Sequence, residues 1–454
     1  MTAPNFHSRL KTAIGAPGVP LVFLGNLEVE EQWARGECGL PRVSSSSGVA
    51  VVNRMDEFAL LLAGGGDHVV LKSAPEESYL RYLTDLGIDL PKIHAVGKGD
   101  PQRTVTEDAL ADQSVLDALC SLGALGARLI PHGVSEVEER LVASTGLTLG
   151  APSAAICKTV NSKVYSRRAA DELGIPQPKG WAATTLDELE EAVTGAAEVL
   201  ATGQKVVLKE ALGVSGKGIS VVDSASRLRR LQRMIAKQVA KGGYERIGFV
   251  IEAWVAKRAD LNYQFTLAAD GSVHFDFVKE AITEGGVHKG HRFPAALSES
   301  QVDILRQTAE QLGKKLHSDG FFGVVGVDAI VGPEGEIHPV IEINARHNMS
   351  TYQIRLQDRF LGQGQVAIAR HYGLRLDAPL PFAEARAALA DLLWTAESRE
   401  GLLINNYATV NAAAAAGGTP FDGRLYGLIV ANSVDRAAEL DRAITARLTR
   451  GAQA

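Results

Sequence analysis

The sequence predicts an α/β protein built from several units. Three observations carry this. Short apolar runs alternate with helical periods in the first part of the chain, 454 residues are too many for one ordinary core, and 46% hydrophobic with 22% charged residues is a globular composition. VPLVFLG, SGVAVVNR and DHVVLKS read as strands. MDEFALLLA and EESYLRYLTDLG read as helices that end near glycine. The order is βαβ-like, which implies a parallel sheet over residues 1–150.

Near residue 150 the character changes. NSKVYSRRAADELGIPQP is a helix that Asn161 or Ser162 can cap and that Gly174 and Pro176 stop. Strand VVLKEA, a glycine loop, strand ISVVD and the long helix ASRLRRLQRMIAKQVA follow. FVIEAWV, LNYQFTLA, VHFDFVKEA, VVGVDAIV and IHPVIEIN are strand-like, interrupted by the helix ESQVDILRQTAEQLGKKLH. KEAITEGGVHKGHRFP reads as an irregular polar loop. From about residue 376 to 454 the chain reads as a small α/β unit, with a helix around Arg386–Leu393, strand RLYGLIVA and a last helix. The three units expected are 1–150, 151–375 and 376–454.

Several classes are disfavoured. A net charge of -6 leaves no basic excess for a general nucleic-acid binder. No run approaches the ~20 apolar residues of a membrane span, and PLVFLGNL is too short for a signal core. Cys38, Cys120 and Cys157 are scattered and odd in number, which fits neither zinc ribbon nor disulfide framework, and a reducing cytoplasm with buried thiols is expected. Gly64-Gly65-Gly66 lacks the GxGxxG spacing of a dinucleotide fold, so an oxidoreductase is a weak reading. A dimer is the default expectation for an enzyme of this size.

The chemistry concentrates in three segments. In IEINARHN, residues 341–348, strand alternation puts Glu342 and Asn344 on one face and Ile341 and Ile343 on the other. If GPEGE turns the preceding strand back, Val331 pairs with Ile337, Asp328 lies opposite Val340, and Asp328 shares the face of Glu342 and Asn344. Two carboxylates and an amide suit magnesium, which takes hard oxygen donors. An exposed sheet face with ordinary polar residues would show the same spacing. In VVLKEALGVSGKGISVV, Gly213, Ser215, Gly216, Lys217 and Gly218 lie between two strands, where glycine lets backbone N–H groups approach phosphate. Lys217 is followed by Gly218 and a strand, so this is not a P-loop. Lys209 precedes the loop and can reach a phosphate, as a solvated lysine beside a flexible hairpin also would.

In order, these parts resemble the ATP-grasp superfamily over roughly residues 150–375, most specifically in VVLKEALGVSGKG and GVDAIV…IEINAR. The resemblance implies two α+β subdomains gripping ATP, preceded by an α/β domain and followed by a small one. It implies ATP and Mg2+ as cofactors. Lys163 and Lys209 are the implied phosphate lysines, and Gly213–Gly218 the loop over the triphosphate. Glu252 is the implied hinge acid, with Ala253 and Trp254 backbone groups at the adenine edge, and Asp260 the ribose acid, one residue late. Asp328, Glu342 and Asn344 are the implied magnesium ligands. The whole chain is also similar to the pheganomycin-type peptide ligases of actinobacteria, which join a guanidino-bearing acid to a peptide.

Many such ligases carry an arginine two residues before the first metal acid, and here that position is Gly326. Arg346, His347, His291 and Arg292 are the candidates to supply the missing charge, with structural salt bridges as the alternative. His347 or Glu280 could take the amine proton, and Tyr352 and Arg355 would face the same cleft. The expected activity is ligation of a small-molecule carboxylate to the amine of a peptide or amino acid through an acylphosphate. An ATP-grasp phosphotransferase and a non-enzymatic ATP-binding module are the rival readings.

Overall fold

The computed structural model describes residues 5–40, 47–213, 218–284, 287–414 and 419–451. Its strands form three sheets.

The first holds β1 (Leu21–Leu24), β2 (His68–Leu71), β3 (Lys92–Ala95), β4 (Arg128–Pro131) and β5 (Thr148–Leu149), all parallel in the order β3-β2-β1-β4-β5. β1 is buried along its whole length, as a central parallel strand covered on both faces must be. SGVAVVNR, expected as a strand, is instead the start of a helical stretch, Ser47–Val52 followed by a 3-10 helix at Met55–Leu61. A short apolar run does not distinguish the two states. The sheet explains the choice, because both edges of β1 are already taken by β2 and β4. The Gly64–Gly66 turn is closed by Asp67, whose carboxylate accepts from Gly64 N at 2.9 Å and Leu21 N at 3.0 Å.

The second sheet holds β6 (Gly180–Ala183), β7 (Val206–Glu210), β8 (Ile219–Val222) and β9 (Phe249–Ala253), antiparallel in the order β6-β9-β7-β8. Helices Leu186–Ala201 and Ala225–Gly242 supply buried residues to its apolar core.

The third sheet holds β10 (Ala259–Leu267), β11 (Val273–Glu284), β12 (Val287–Phe293), β13 (Gly323–Val331), β14 (Ile337–Asn344), β15 (Val366–Leu376), β16 (Gly401–Asn406) and β17 (Phe421–Ala431). Its order is β14-β13-β10-β11-β12-β15-β17-β16. Leu261, Tyr263, Phe265, Val325, Val327 and Ala329 face one way and bury against helix Glu299–Ser318. The polar alternates Asn262, Gln264 and Asp328 therefore face the other way.

Two expectations change here. KEAITEGGVHKGHRFP is not an irregular loop: it supplies the end of β11 and the whole of β12. The C-terminal strands do not form a sheet of their own. β17 pairs along β15 from Val366–Ala431 to Leu376–Phe421, and β15 pairs with β12, so this segment extends the third sheet. Its apolar side chains share one core with residues of β1 and β2 and with the 3-10 helix. Of the three cysteines, Cys38 and Cys157 are buried as expected, but Cys120 is exposed, and all are free. No described helix is long and apolar enough to cross a membrane.

Candidate active site

The carboxylate cluster depends on the register of β13 and β14. Val331 pairs with Ile337 as the hairpin reading requires, but Asp328 lies opposite Glu342, not Val340. An irregularity between Asp328 and Ile330 shifts the pairing by two residues. An even shift preserves the face, so Asp328, Glu342 and Asn344 still share one. Asn344 Nδ2 donates to Asp328 Oδ2 at 3.2 Å, and Asn262 Nδ2 to Asp328 Oδ1 at 2.8 Å. Burial, and then the charge of Glu342, push the Asp328 carboxyl up to about 6.

This arrangement suits a hard divalent cation. Its charged donors are carboxylate oxygens, Asn344 carries an amide oxygen that now accepts from Arg346, and the raised Asp328 records a burial and repulsion cost that a cation would relieve. Among the described residues no three His, Cys, Asp or Glu groups converge on a metal position. Two carboxylates and an amide are what magnesium needs when phosphate oxygens and water complete its shell.

Lys163 stands at the start of helix Lys163–Glu172, capped by Ser162. Its Nζ lies 2.7 Å from Glu342 Oε1 and 3.2 Å from the Gly213 carbonyl, so it joins the second sheet to the third. Lys209 Nζ donates to Glu252 Oε1 between β7 and β9, and both side chains are at most a tenth exposed. Lys209 is thus buried and paired rather than solvated. Gly213 and Gly218 flank the glycine loop, and Gly218 has a φ of +79°, which favours glycine. Ser215, Gly216 and Lys217 lie outside the described residues.

The adenine reading needs revision at two atoms. Ala253 N donates to the Lys179 carbonyl at 2.7 Å and Trp254 N to the Lys205 carbonyl at 2.8 Å. These two N–H groups are committed, so they do not serve a purine edge. Asp260 sits at the start of β10 on the face of Asn262 and pairs with Lys257 Nζ at 2.7 Å.

The proposed charge donors mostly do other work. Arg346 makes an ion pair with Glu30 of helix Val29–Trp33, and its Nη atoms also donate to Asn344 Oδ1 and the His347 carbonyl, each at 3.0 Å. His347 is buried at the C-terminal end of β4, with its backbone N–H on the His132 carbonyl at 3.1 Å, and burial pushes its imidazole down to about 4. Tyr352 donates to or accepts from His132 Nδ1 at 2.7 Å, and an Arg355 Nη donates to the Ala63 carbonyl. These side chains dock the third sheet onto the first domain, and Arg346 alone among them also touches the carboxylate cluster, through Asn344 Oδ1. Arg292 pairs with Glu280 at 2.6 Å, and both alternate to the face opposite Asp328. The structure therefore separates Arg292 from the carboxylates and places His291 on their side instead, with Nε2 3.2 Å from Ser350 Oγ.

Two residues on that face, Asn262 and Lys279, and one in the segment after β14, Asn348, are not marked by the sequence reading. Asn262 pairs across β10 with both Asp328 and Lys279. Lys279 is wholly buried, donates to the Ser350 carbonyl at 2.8 Å and Gln353 Oε1 at 3.3 Å, and burial holds it well below the usual lysine range. The polar alternation of LNYQFTL was the available signal for Asn262. Nothing in the sequence marks Asn348.

This fold and cleft define a class. Residues 55–147 match the family model of the Pre ATP-grasp domain and residues 160–350 that of the ATP-grasp domain. The chain belongs to the ATP-grasp superfamily. It is 28% identical over 329 residues to the [butirosin acyl-carrier protein]--L-glutamate ligase of Niallia circulans, covering 72% of each chain. It is 29% identical to the formate-dependent phosphoribosylglycinamide formyltransferase of Methanocaldococcus jannaschii, over 38% of this chain and 41% of that one. Among solved structures, biotin carboxylase from Campylobacter jejuni aligns with a TM-score of 0.56 at 15% identity, over 88% of this chain and 89% of that one. An N5-carboxyaminoimidazole ribonucleotide synthetase in complex with ADP aligns at 0.52 and 13% identity, over 94% and 96%. These two likenesses speak to the fold.

Proposed function

We propose that the chain is an ATP-dependent, ADP-forming ligase that joins a carboxylate to an amine through an acylphosphate. The observation that carries this is the in-register cluster of Asp328, Glu342 and Asn344 with Lys163 bridging it to the glycine-loop sheet. The likeness to the glutamate ligase over 72% of each chain supports ligation among the superfamily's reactions.

A carboxylate is a poor electrophile because oxide would have to leave. Phosphorylation by ATP replaces oxide with phosphate, and an amine can then displace it. Lys163 and Lys209 exchange their carboxylate partners for phosphate oxygens and hold the triphosphate in line. Asp328, Glu342 and Asn344 would hold Mg2+, which would supply charge neutralisation for phosphoryl transfer. Glu252 sits beside the nucleotide base, and Asp260 at the ribose. The acid is a small-molecule carboxylate such as a guanidino acid and the acceptor the amine of a peptide or amino acid, as in peptide natural-product assembly.

The test is MgATP turnover against a panel of acids and peptides, with hydroxylamine as a trap. ADP, free phosphate and a hydroxamate support the ligase. ADP with a stable phosphorylated product moves the reading to a phosphotransferase. AMP with pyrophosphate sinks it.

A further inference from the structure

We infer that Asn348 and Asn262 form a neutral amide pair that receives the tetrahedral intermediate of amide formation. Asn348 Nδ2 donates to the oxyanion, and Asn262 Oδ1 accepts from the N–H of the attacking amine. This rests on the ligase reading.

The two side chains are 9% and 6% exposed, and their orientations are fixed by the bonds they already make. Asn348 Oδ1 accepts from Ser350 N at 2.8 Å and Thr351 N at 3.2 Å, so its nitrogen is the outer atom. Asn262 Nδ2 donates to Asp328 at 2.8 Å, so its oxygen is the outer atom. Among the described residues neither Asn348 Nδ2 nor Asn262 Oδ1 has a hydrogen-bond partner. A buried polar atom left unpaired costs about 1–3 kcal/mol. Two such atoms of opposite polarity, one on β10 and one in the segment that follows β14, with both side chains beside Gly326, point to a ligand that supplies one acceptor and one donor.

Gly326 places them. It lies two residues before Asp328 on the same face, opposite Asn344 and Gln264. A Cβ on Gly326 would stand 2.1 Å from Asn348 Nδ2 and 3.7 Å from Asn262 Nδ2. The missing side chain is the space the Asn348 amide occupies, directly beside the carboxylates. Arg346 lies beyond Asn344 with its Nη atoms on Glu30, Asn344 Oδ1 and the His347 carbonyl, which leaves its Nε as the guanidinium atom without a partner among the described residues.

The step balances without a further reactant. The amine lone pair forms the N–C bond and the carbonyl π pair moves onto oxygen, giving the anion that Asn348 meets. On collapse the C=O reforms, the C–O bond to phosphate breaks, and the amine proton leaves with the phosphate. Asn262 needs an N–H that persists in the intermediate, which a primary amine offers.

The experiment compares wild type, Asn348→Asp and Gly326→Ala. Acetate, L-glutamate and L-arginine serve as acids and hydroxylamine as the primary amine, with MgATP. Asn348→Asp keeps both accepted bonds and replaces the donor, and Gly326→Ala displaces the amide without deleting a polar atom. Hydroxamate kcat should fall roughly 10²–10³-fold in the first and roughly tenfold to a hundredfold in the second, with KM for ATP and the thermal midpoint held. A kcat within about threefold of wild type in either folded variant overturns the amide pair. Should Asn348→Asp fail to fold, Gly326→Ala decides alone. If wild type forms no hydroxamate from any of the acids, the ligase reading falls and takes this inference with it. If wild type reacts and the variants match it, the amide pair alone falls.

Discussion

The segment 341–348 carries two kinds of polar side chain, and their surroundings differ. Glu342 and Asn344 meet Asp328 across the sheet and Lys163 from the start of a helix, in a cluster where burial and like charge still raise the Asp328 carboxyl. Arg346 and His347, two and three residues beyond Asn344, are absorbed by the first domain through Glu30 and the 131–132 backbone. The difference teaches a test for function within a polar motif. Carboxylates left in mutual repulsion in a buried cluster are prepared for a cation, whereas a guanidinium and an imidazole packed against another domain hold the scaffold.

The sharpest way to break that comparison is Glu342→Gln. Turnover of MgATP should fall by about 10³-fold or more, because a charged oxygen is lost where phosphate charge develops. The thermal midpoint should stay near that of wild type, since the side chain is partly exposed and Gln can still accept from Lys163. Near-normal turnover would remove the active-site assignment.

Lys209→Ala should lose turnover too, but with a second symptom. The lysine and Glu252 are both nearly buried, so truncation leaves an unpaired buried carboxylate. Unfolding free energy should drop by about 3–5 kcal/mol, read from denaturant titration. Unchanged stability would mean the pair is solvated, as an exposed lysine beside a hairpin would be.

Arg346→Met tests the scaffold side. Removing it strands Glu30 in a mostly buried position, and about 3–5 kcal/mol of stability should go, while kcat of the folded enzyme falls only about tenfold through the donor that Asn344 Oδ1 loses. The reverse outcome, a kcat loss of roughly 10²–10³ with stability kept, would restore Arg346 as an oxyanion donor.

How much of this was legible in the sequence follows from which interactions are local. Strand alternation showed that Glu342 and Asn344 share a face, and the turn GPEGE located the hairpin. The two-residue irregularity that sets Asp328 against Glu342 was not visible, because pairing beyond a bulge depends on the whole sheet. SGVAVVNR failed for the same kind of reason: its apolar run suits either state, and the sheet had no free edge beside β1. Arg346 and His347 looked catalytic because Glu30 and His132, which absorb them, lie more than two hundred residues away in sequence. Arg292 was misjudged by one residue of phase on β12, a strand hidden in a polar, glycine-bearing segment.

The smallest expected effect concerns pH and belongs to the scaffold. Burial pushes the imidazoles of His132 and His347 down to about 3 and about 4, so both are neutral in the folded protein. An unfolded chain binds these protons near pH 6.5. Their contribution to stability is therefore full above that pH and is lost as pH falls toward 4, each group adding a slope of up to about 1.4 kcal/mol per pH unit. Asp328 acts in the opposite sense, since its raised carboxyl takes up a proton more readily when folded, and it offsets part of the loss between about 6 and 4. A difference between variants isolates the histidine. His347→Gln should be less stable than wild type at pH 7.5, with the gap narrowing as pH falls toward 5, and its kcat at pH 7.5 should be nearly that of wild type. A gap that stays constant with pH would show that His347 is not held neutral by burial. A large loss of kcat would return it to the chemistry as a base.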